Sequence, residues 1–152
     1  MARRLMGLGW VAFLVVGVYG CAMMGDTKPA AGPSVYQQLG GREGIAGVVD
    51  DFVANVVADN RISARFKALP PAQVFKLKSH LADQICDASG GPCAYVGRDM
   101  KTTHKGMFIT DAEWTATVEA LVKALDKNNV PAGAKNALLG TLGPMKPDIV
   151  GQ

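Results

Sequence analysis

From Val35 onward, apolar residues recur every three or four positions and nowhere every second one, a spacing that confines the fold to packed helices. Ile45, Val48, Val49, Phe52, Val53 and Val56 make one such stripe and predict a helix from about Arg42 to Ala58. A shorter helical segment, Val35 to Leu39, precedes it and stops at Gly40-Gly41. After an irregular stretch carrying Ile62 and Phe66, Pro70-Pro71 opens a third helix, since proline's fixed φ and missing N–H suit a first turn. Val74, Leu77, Leu81 and Ile85 give its inner face, and Gly90-Gly91-Pro92 ends it. A loop leads to a short segment around Met100 to Lys105. Thr110 and Glu113 then stand in the T-x-x-E spacing of a capping box and start a long helix. That helix runs to about Lys127 with the stripe Trp114, Val118, Leu121 and Leu125, and Asn128-Asn129 closes it. Pro131 opens a last helix with Ala134, Leu138, Leu139 and Leu142, closed by Gly143-Pro144. The expected fold class is all-α.

The length of 152 residues suits one domain with a core large enough to stand alone. The first residues stand apart from the helical pattern. Arg3 and Arg4 give a basic start, Leu5 to Val18 carry no charge, and the run ends Val18-Tyr19-Gly20-Cys21. A short apolar run behind two arginines reads as a secretory signal; a membrane span needs about 20 apolar residues. Gly20-Cys21 resembles a bacterial lipobox, whose cysteine becomes lipid-modified after cleavage. An uncleaved anchor or an unmodified signal is the competing reading. The expected organisation is a signal peptide over 1–21, a tether over 22–33 and one domain over 34–152. The chain would then be exported and held at a bacterial membrane, periplasmic or at the cell surface, by lipid on Cys21. The tether AMMGDTKPAAGP is small, polar and rich in Pro and Gly, the composition of a flexible linker. Removing Arg3 and Arg4 from the net charge of +3 leaves +1, which is no footprint for nucleic acid. Cys86 and Cys93 remain in the domain; an oxidising compartment would permit a disulfide, and their spacing leaves both the paired and the free state open.

The chain holds only two histidines, His80 and His104. Nucleophilic-serine motifs, a phosphate-cradling glycine loop, HExxH and CxxCH are all absent, which removes the common hydrolase, nucleotide and covalent-haem signatures. Asp50-Asp51 reads as a solvated helix face. By spacing alone His104 lies in a polar segment and His80 at the boundary of an amphipathic helix, so each also fits a plain surface role. Two imidazoles on a mainly apolar helical core do suit a haem, which needs an axial ligand and a hydrophobic slot.

With Y-x-x-L-G-G at 36–41 and G-G-x-x-x-Y-x-G-x-x-M-x-x-x-H at 90–104, the residues from Tyr36 to about Leu142 resemble a group I truncated haemoglobin. Tyr36-Gln37-Gln38-Leu39-Gly40-Gly41 fits the family's opening Y-x-x-(I/L)-G-G. Val49-Asp50-Asp51-Phe52, Ala58-Asp59 and Ser63-Ala64-Arg65-Phe66 follow in order. Gly90 to His104 then fills every fixed position of G-G-x-x-x-Y-x-G-x-x-M-x-x-x-H. The resemblance implies a two-over-two helical sandwich holding haem b, with His104 ligating iron through Nε2. It further implies Phe66 on the haem face, Leu77, His80 and Leu81 on the distal helix, Tyr95 and Met100 near the haem edge, and Trp114, Val118 and Leu121 walling the proximal side.

Two departures bear on mechanism. The family's tyrosine after Phe52 is Val53 here, and its distal glutamine falls at Leu81. Both usual hydrogen-bond donors to a bound ligand are therefore missing, which should speed oxygen release and autoxidation. Some relatives ligate iron with a histidine or lysine at the place of His80. His80 is thus the expected catalytic residue and second metal ligand, bound to iron at rest and displaced by an entering gas, or else a donor to that gas; Gln84 is an alternative donor. The implied functions are binding of oxygen, nitric oxide or carbon monoxide, nitric oxide dioxygenation with an electron-donating reductase, or electron transfer and sensing through a bis-histidyl iron.

Overall fold

Ser34 opens the first helix with a pair of reciprocal hydrogen bonds. Its Oγ accepts from the Gln37 N–H, and the Gln37 Oε1 accepts from the Ser34 N–H at 2.8 Å, so two otherwise unpaired amides are satisfied at once. The structure, a computed structural model, describes residues 32–152. The signal segment and all but the end of the tether expected above lie outside the described residues. The helices are α1 (Val35–Gln38), α2 (Gly41–Ala58), α3 (Ala64–Lys67), α4 (Pro71–Ala88), α5 (Met100–His104), α6 (Asp111–Lys127) and α7 (Ala132–Leu142). Between α1 and α2 the chain turns through Gly40 and Gly41, at φ 82° and 65°, a region open to glycine and strained for other residues. The T-x-x-E box at Thr110 and Glu113 forms as expected and caps α6.

The core sits on α2, which buries all six residues of its stripe. It packs on α4 within one layer and on α6 in the other, while α4 rests on α7, which is the two-over-two arrangement. Two expectations change, the buried stripe of α6 and the role of Asp51. On α6 the buried residues are Ala116, Ala120, Ala124 and Leu125; Trp114, Val118 and Leu121 are only half-buried. Alanine at every fourth position gives α2 a flat surface to approach closely, and the larger side chains fall to either side. The last α-helix ends at Leu142 with Gly143 as its C-cap, as expected. The chain then tightens into a 3-10 segment, Gly143–Asp148, and the tail returns so that Ile109 and Val150 form an isolated bridge. Asp50 is solvated as expected, but Asp51 accepts from Lys127 Nζ at 2.6 Å and Asn128 Nδ2 at 2.9 Å, joining α2 to the end of α6. No helix among the described residues is long and apolar enough to cross a membrane.

Candidate functional site

α4 presents Lys76, Leu77, His80, Leu81 and Gln84 along one face, the positions that a 3.6-residue period brings together. Opposite them runs the segment from Ser89 to Asp99, then α5. Asp99 starts α5 as its N-cap: Oδ1 accepts from the Thr102 N–H at 2.8 Å. That hydrogen bond, with one from the Thr102 hydroxyl, holds the Asp99 carboxyl below its ordinary pKa. The two sides enclose a cleft of about 450 Å³, within the size range of small-molecule and cofactor sites. The segment contributes Tyr95, Val96, Gly97 and Arg98, and α5 contributes Met100, Thr103 and His104.

At the end of α5, His104 Nδ1 lies 2.8 Å from the Met100 carbonyl oxygen. A carbonyl only accepts, so Nδ1 carries the proton and donates it, leaving the Nε2 lone pair for a metal. His80 is half-buried on α4, its ring in a T-shaped contact with Tyr95 at a centroid distance of 6.2 Å. The Tyr95 hydroxyl donates to the Arg98 carbonyl at 2.9 Å. Gln84 Nε2 lies 3.7 Å from Met100 Sδ and 3.4 Å from Met145 Sδ; thioethers are weak acceptors, so this amide keeps donor capacity.

Of the residues singled out in the sequence, Leu77, His80, Leu81, Gln84, Tyr95, Met100 and His104 line this one cleft. Phe66 packs instead against the core, as does Leu121, and Trp114 and Val118 are likewise not part of the lining. Val53 is buried in the core. Lys76 and Arg98 escaped notice because an exposed basic residue reads as solvated surface; the step of four from Lys76 to His80 was the available signal. Cys86 and Cys93, left open by spacing, are joined, with 5.8 Å between their Cα atoms.

Residues 34–150 match the family model of bacterial-like globins. A group 1 truncated haemoglobin of Mycolicibacterium paratuberculosis is 31% identical over 80% of this chain and 88% of its own length. The crystal structure of a truncated haemoglobin from Tetrahymena pyriformis in its Fe(III) form superposes with a TM-score of 0.73 at 26% identity, covering 79% of this chain and all of that one. A 2/2 haemoglobin from Synechococcus, in the cyanomet state with covalently attached haem, gives 0.69 at 28% identity over 78% of this chain and 98% of its own. The chain therefore belongs to the bacterial-like globins, and among them to the group 1 truncated haemoglobins, a family whose cofactor is haem iron and whose activity is the binding of diatomic gases.

Proposed function

We propose that the cleft between α4 and α5 holds haem b with the His104 Nε2 on iron, and that His80 serves the opposite side. One observation carries this: two histidines from separate elements line a single cleft. The donor set fits the cofactor. Leu77, Leu81, Val96 and Met100 offer apolar contact, Lys76 and Arg98 offer cations to its carboxylates, and among the described residues no carboxylate lines the cleft. Bound there, haem supplies an iron that takes up a diatomic gas and passes between ferrous and ferric states.

The residues do the rest. Met100 fixes the tautomer and aim of His104. Leu81 offers no hydrogen bond and Val53 is in the core, so stabilisation of a bound gas falls to His80 or Gln84. With haem bound, His80 would be the residue placed to hold the iron from the side opposite His104, or to donate a hydrogen bond to an entering gas. The reaction class this suits is nitric oxide dioxygenation, in which nitric oxide, oxygen and one electron from a reductase give nitrate. A bis-histidyl electron-transfer or sensor protein is the second reading, favoured by the presence of His80 in the cleft. Export and lipid attachment at Cys21 belong to the same proposal and are supported by the Arg3-Arg4 start, the uncharged run and the lipobox-like ending.

The test is spectroscopic. Haem-loaded protein should show low-spin bands in both oxidation states. His80→Ala should turn the ferrous form high-spin, and His104→Ala should lose most haem, because the residue that would hold the iron is gone. Failure of the unmutated protein to hold haem would sink the reading. A firmly six-coordinate ferrous form that resists carbon monoxide favours electron transfer; catalytic nitric oxide consumption with a reductant favours the dioxygenase. Lipidation is read separately, by incorporation of labelled fatty acid that a Cys21→Ser variant abolishes.

A further inference from the structure

The wall of the cleft opposite α4 is a segment without regular structure, Ser89 to Asp99, yet it supplies Tyr95, Val96, Gly97 and Arg98 to the lining. Its ties to the rest of the molecule gather at its two ends. Gly91 N–H donates to the Cys86 carbonyl at 2.8 Å and the Ser89 carbonyl accepts from Tyr36 N–H at 3.1 Å, both before Cys93. Beyond Cys93, the Tyr95 N–H donates to Asp87 Oδ2 at 3.2 Å, the Tyr95 hydroxyl bond to Arg98 stays inside the segment, and only Arg98 and Asp99 are held to α5, through Thr103 and Thr102. The covalent tie is the Cys86–Cys93 disulfide, from a fully buried position near the end of α4 to a point two residues before Tyr95.

We infer that this disulfide is the fastener of the cleft's loop wall, and that its reduction by a dithiol loosens the wall and releases the cofactor faster. The inference rests on the reading that the cleft holds haem. Chemically the step is a two-electron exchange. A dithiol's thiolate attacks Cys93 Sγ, the half-buried sulfur, since Cys86 is inaccessible. The S–S bond breaks, and Cys86 leaves as a thiolate that takes up a proton. The second thiol of the reductant, as thiolate, displaces Cys93 from the mixed disulfide; Cys93 gains a proton, and the reductant ends as a cyclic disulfide. Arg42 Nη1 lies 3.1 Å from Cys93 Sγ, where a guanidinium draws in an anionic attacker; Asp83, 2.7 Å from the same nitrogen, moderates that pull. Once freed, Tyr95 keeps one backbone hydrogen bond to α4, and its edge contact with His80 is no longer pinned. Local opening of such a weakly tied segment needs no unfolding of the core.

Haem transfer from the loaded protein to excess apomyoglobin tests this. Oxidised protein should give haem up slowly. Protein treated with a dithiol reductant, and a Cys93→Ser variant with or without it, should give it up roughly tenfold faster, part of the effect of opening a short disulfide loop. Rates within about twofold of the oxidised protein would overturn the inference. So would an equal acceleration by reductant in Cys93→Ser, which would place the effect on the iron. Protein that takes up no haem in either thiol state would instead remove the cleft reading itself. Should Cys93→Ser not fold, hydrogen exchange on reduced wild type decides: faster exchange confined to residues 90–99 supports the wall, and a uniform increase that includes α2 overturns it.

Discussion

The Thr102 N–H and the Asp99 carboxylate fix the element that carries His104 before any packing is counted. α5 spans five residues, too short to persist as a helix by itself, so its cap matters more than a cap on a long helix. Asp99→Ala removes the acceptor for Thr102 N–H, frays α5 and loosens both the Met100 carbonyl and the His104 ring that donates to it. The expected result is haem dissociation faster by about fivefold, the usual order for a lost N-cap, with α2 and α6 unaffected in helical content. Asp99→Asn keeps a capping oxygen and should stay close to wild type. Equal behaviour of the two variants would mean that charge, not capping, is what Asp99 contributes. A neighbouring residue is constrained differently: a Cβ on Gly91 would stand 2.6 Å from Cys86 Sγ and from Tyr36 Cδ2, so this position admits only glycine because the disulfide and α1 close on it.

Among the elements, α6 separates what holds the fold from what is merely apolar. Ala116, Ala120 and Ala124 are all but inaccessible and meet α2. Ala120→Leu forces extra volume between the two helices and should destabilise by about 1–3 kcal/mol, read from the urea midpoint. Trp114→Ala removes a half-exposed ring outside the core cluster and should cost less, despite the larger deletion. The reverse order would restore the stripe that hydropathy alone suggests. The same contrast explains what the sequence disclosed. The α2 stripe was legible because its helix packs on both α4 and α6, so every apolar residue on it is needed. The α6 stripe misled because hydropathy ranks Trp, Val and Leu above Ala, whereas close helix contact selects small residues. At the site, the glycine and histidine pattern pointed to His104 and His80, and the structure places both in one cleft. Lys76 and Arg98 gave no signal as exposed cations, and the cysteine spacing set a loop length without setting a geometry. Pro144 reads as a stop, and α7 ends at Leu142; proline then fits the first turn of the 3-10 segment that follows.

In the molecule as a whole the cleft lies beside the core. Leu77, His80 and Gln84 are half-buried, and the cleft touches the hydrophobic core through Leu81. Stability across the molecule depends on links such as the one between α3 and α6. Arg65 Nε donates to Glu113 Oε1 at 2.6 Å and Nη2 to Oε2 at 3.1 Å, while Nη1 reaches the Met107 carbonyl at 3.0 Å. Glu113 also receives the Thr110 N–H. The paired guanidinium first, and then that backbone hydrogen bond, pull the Glu113 carboxyl down to about 2 from 4.5. Between these values the unfolded chain binds a proton that the folded one does not, so acid favours unfolding. The contribution of Glu113 is complete above pH 4.5 and is lost as the pH falls through 2. Glu113→Gln should therefore be less stable than wild type at pH 7. The gap should narrow from about pH 4.5 downward and nearly close at pH 2. Asp59, held down to about 2 chiefly by Arg61, gives both proteins the same residual acid sensitivity. Urea midpoints at pH 7, 4, 3 and 2 decide the matter. A constant gap at every pH would mean that Glu113 acts through capping geometry alone, because a neutral amide would then lose the same stability whether or not wild-type Glu113 is charged.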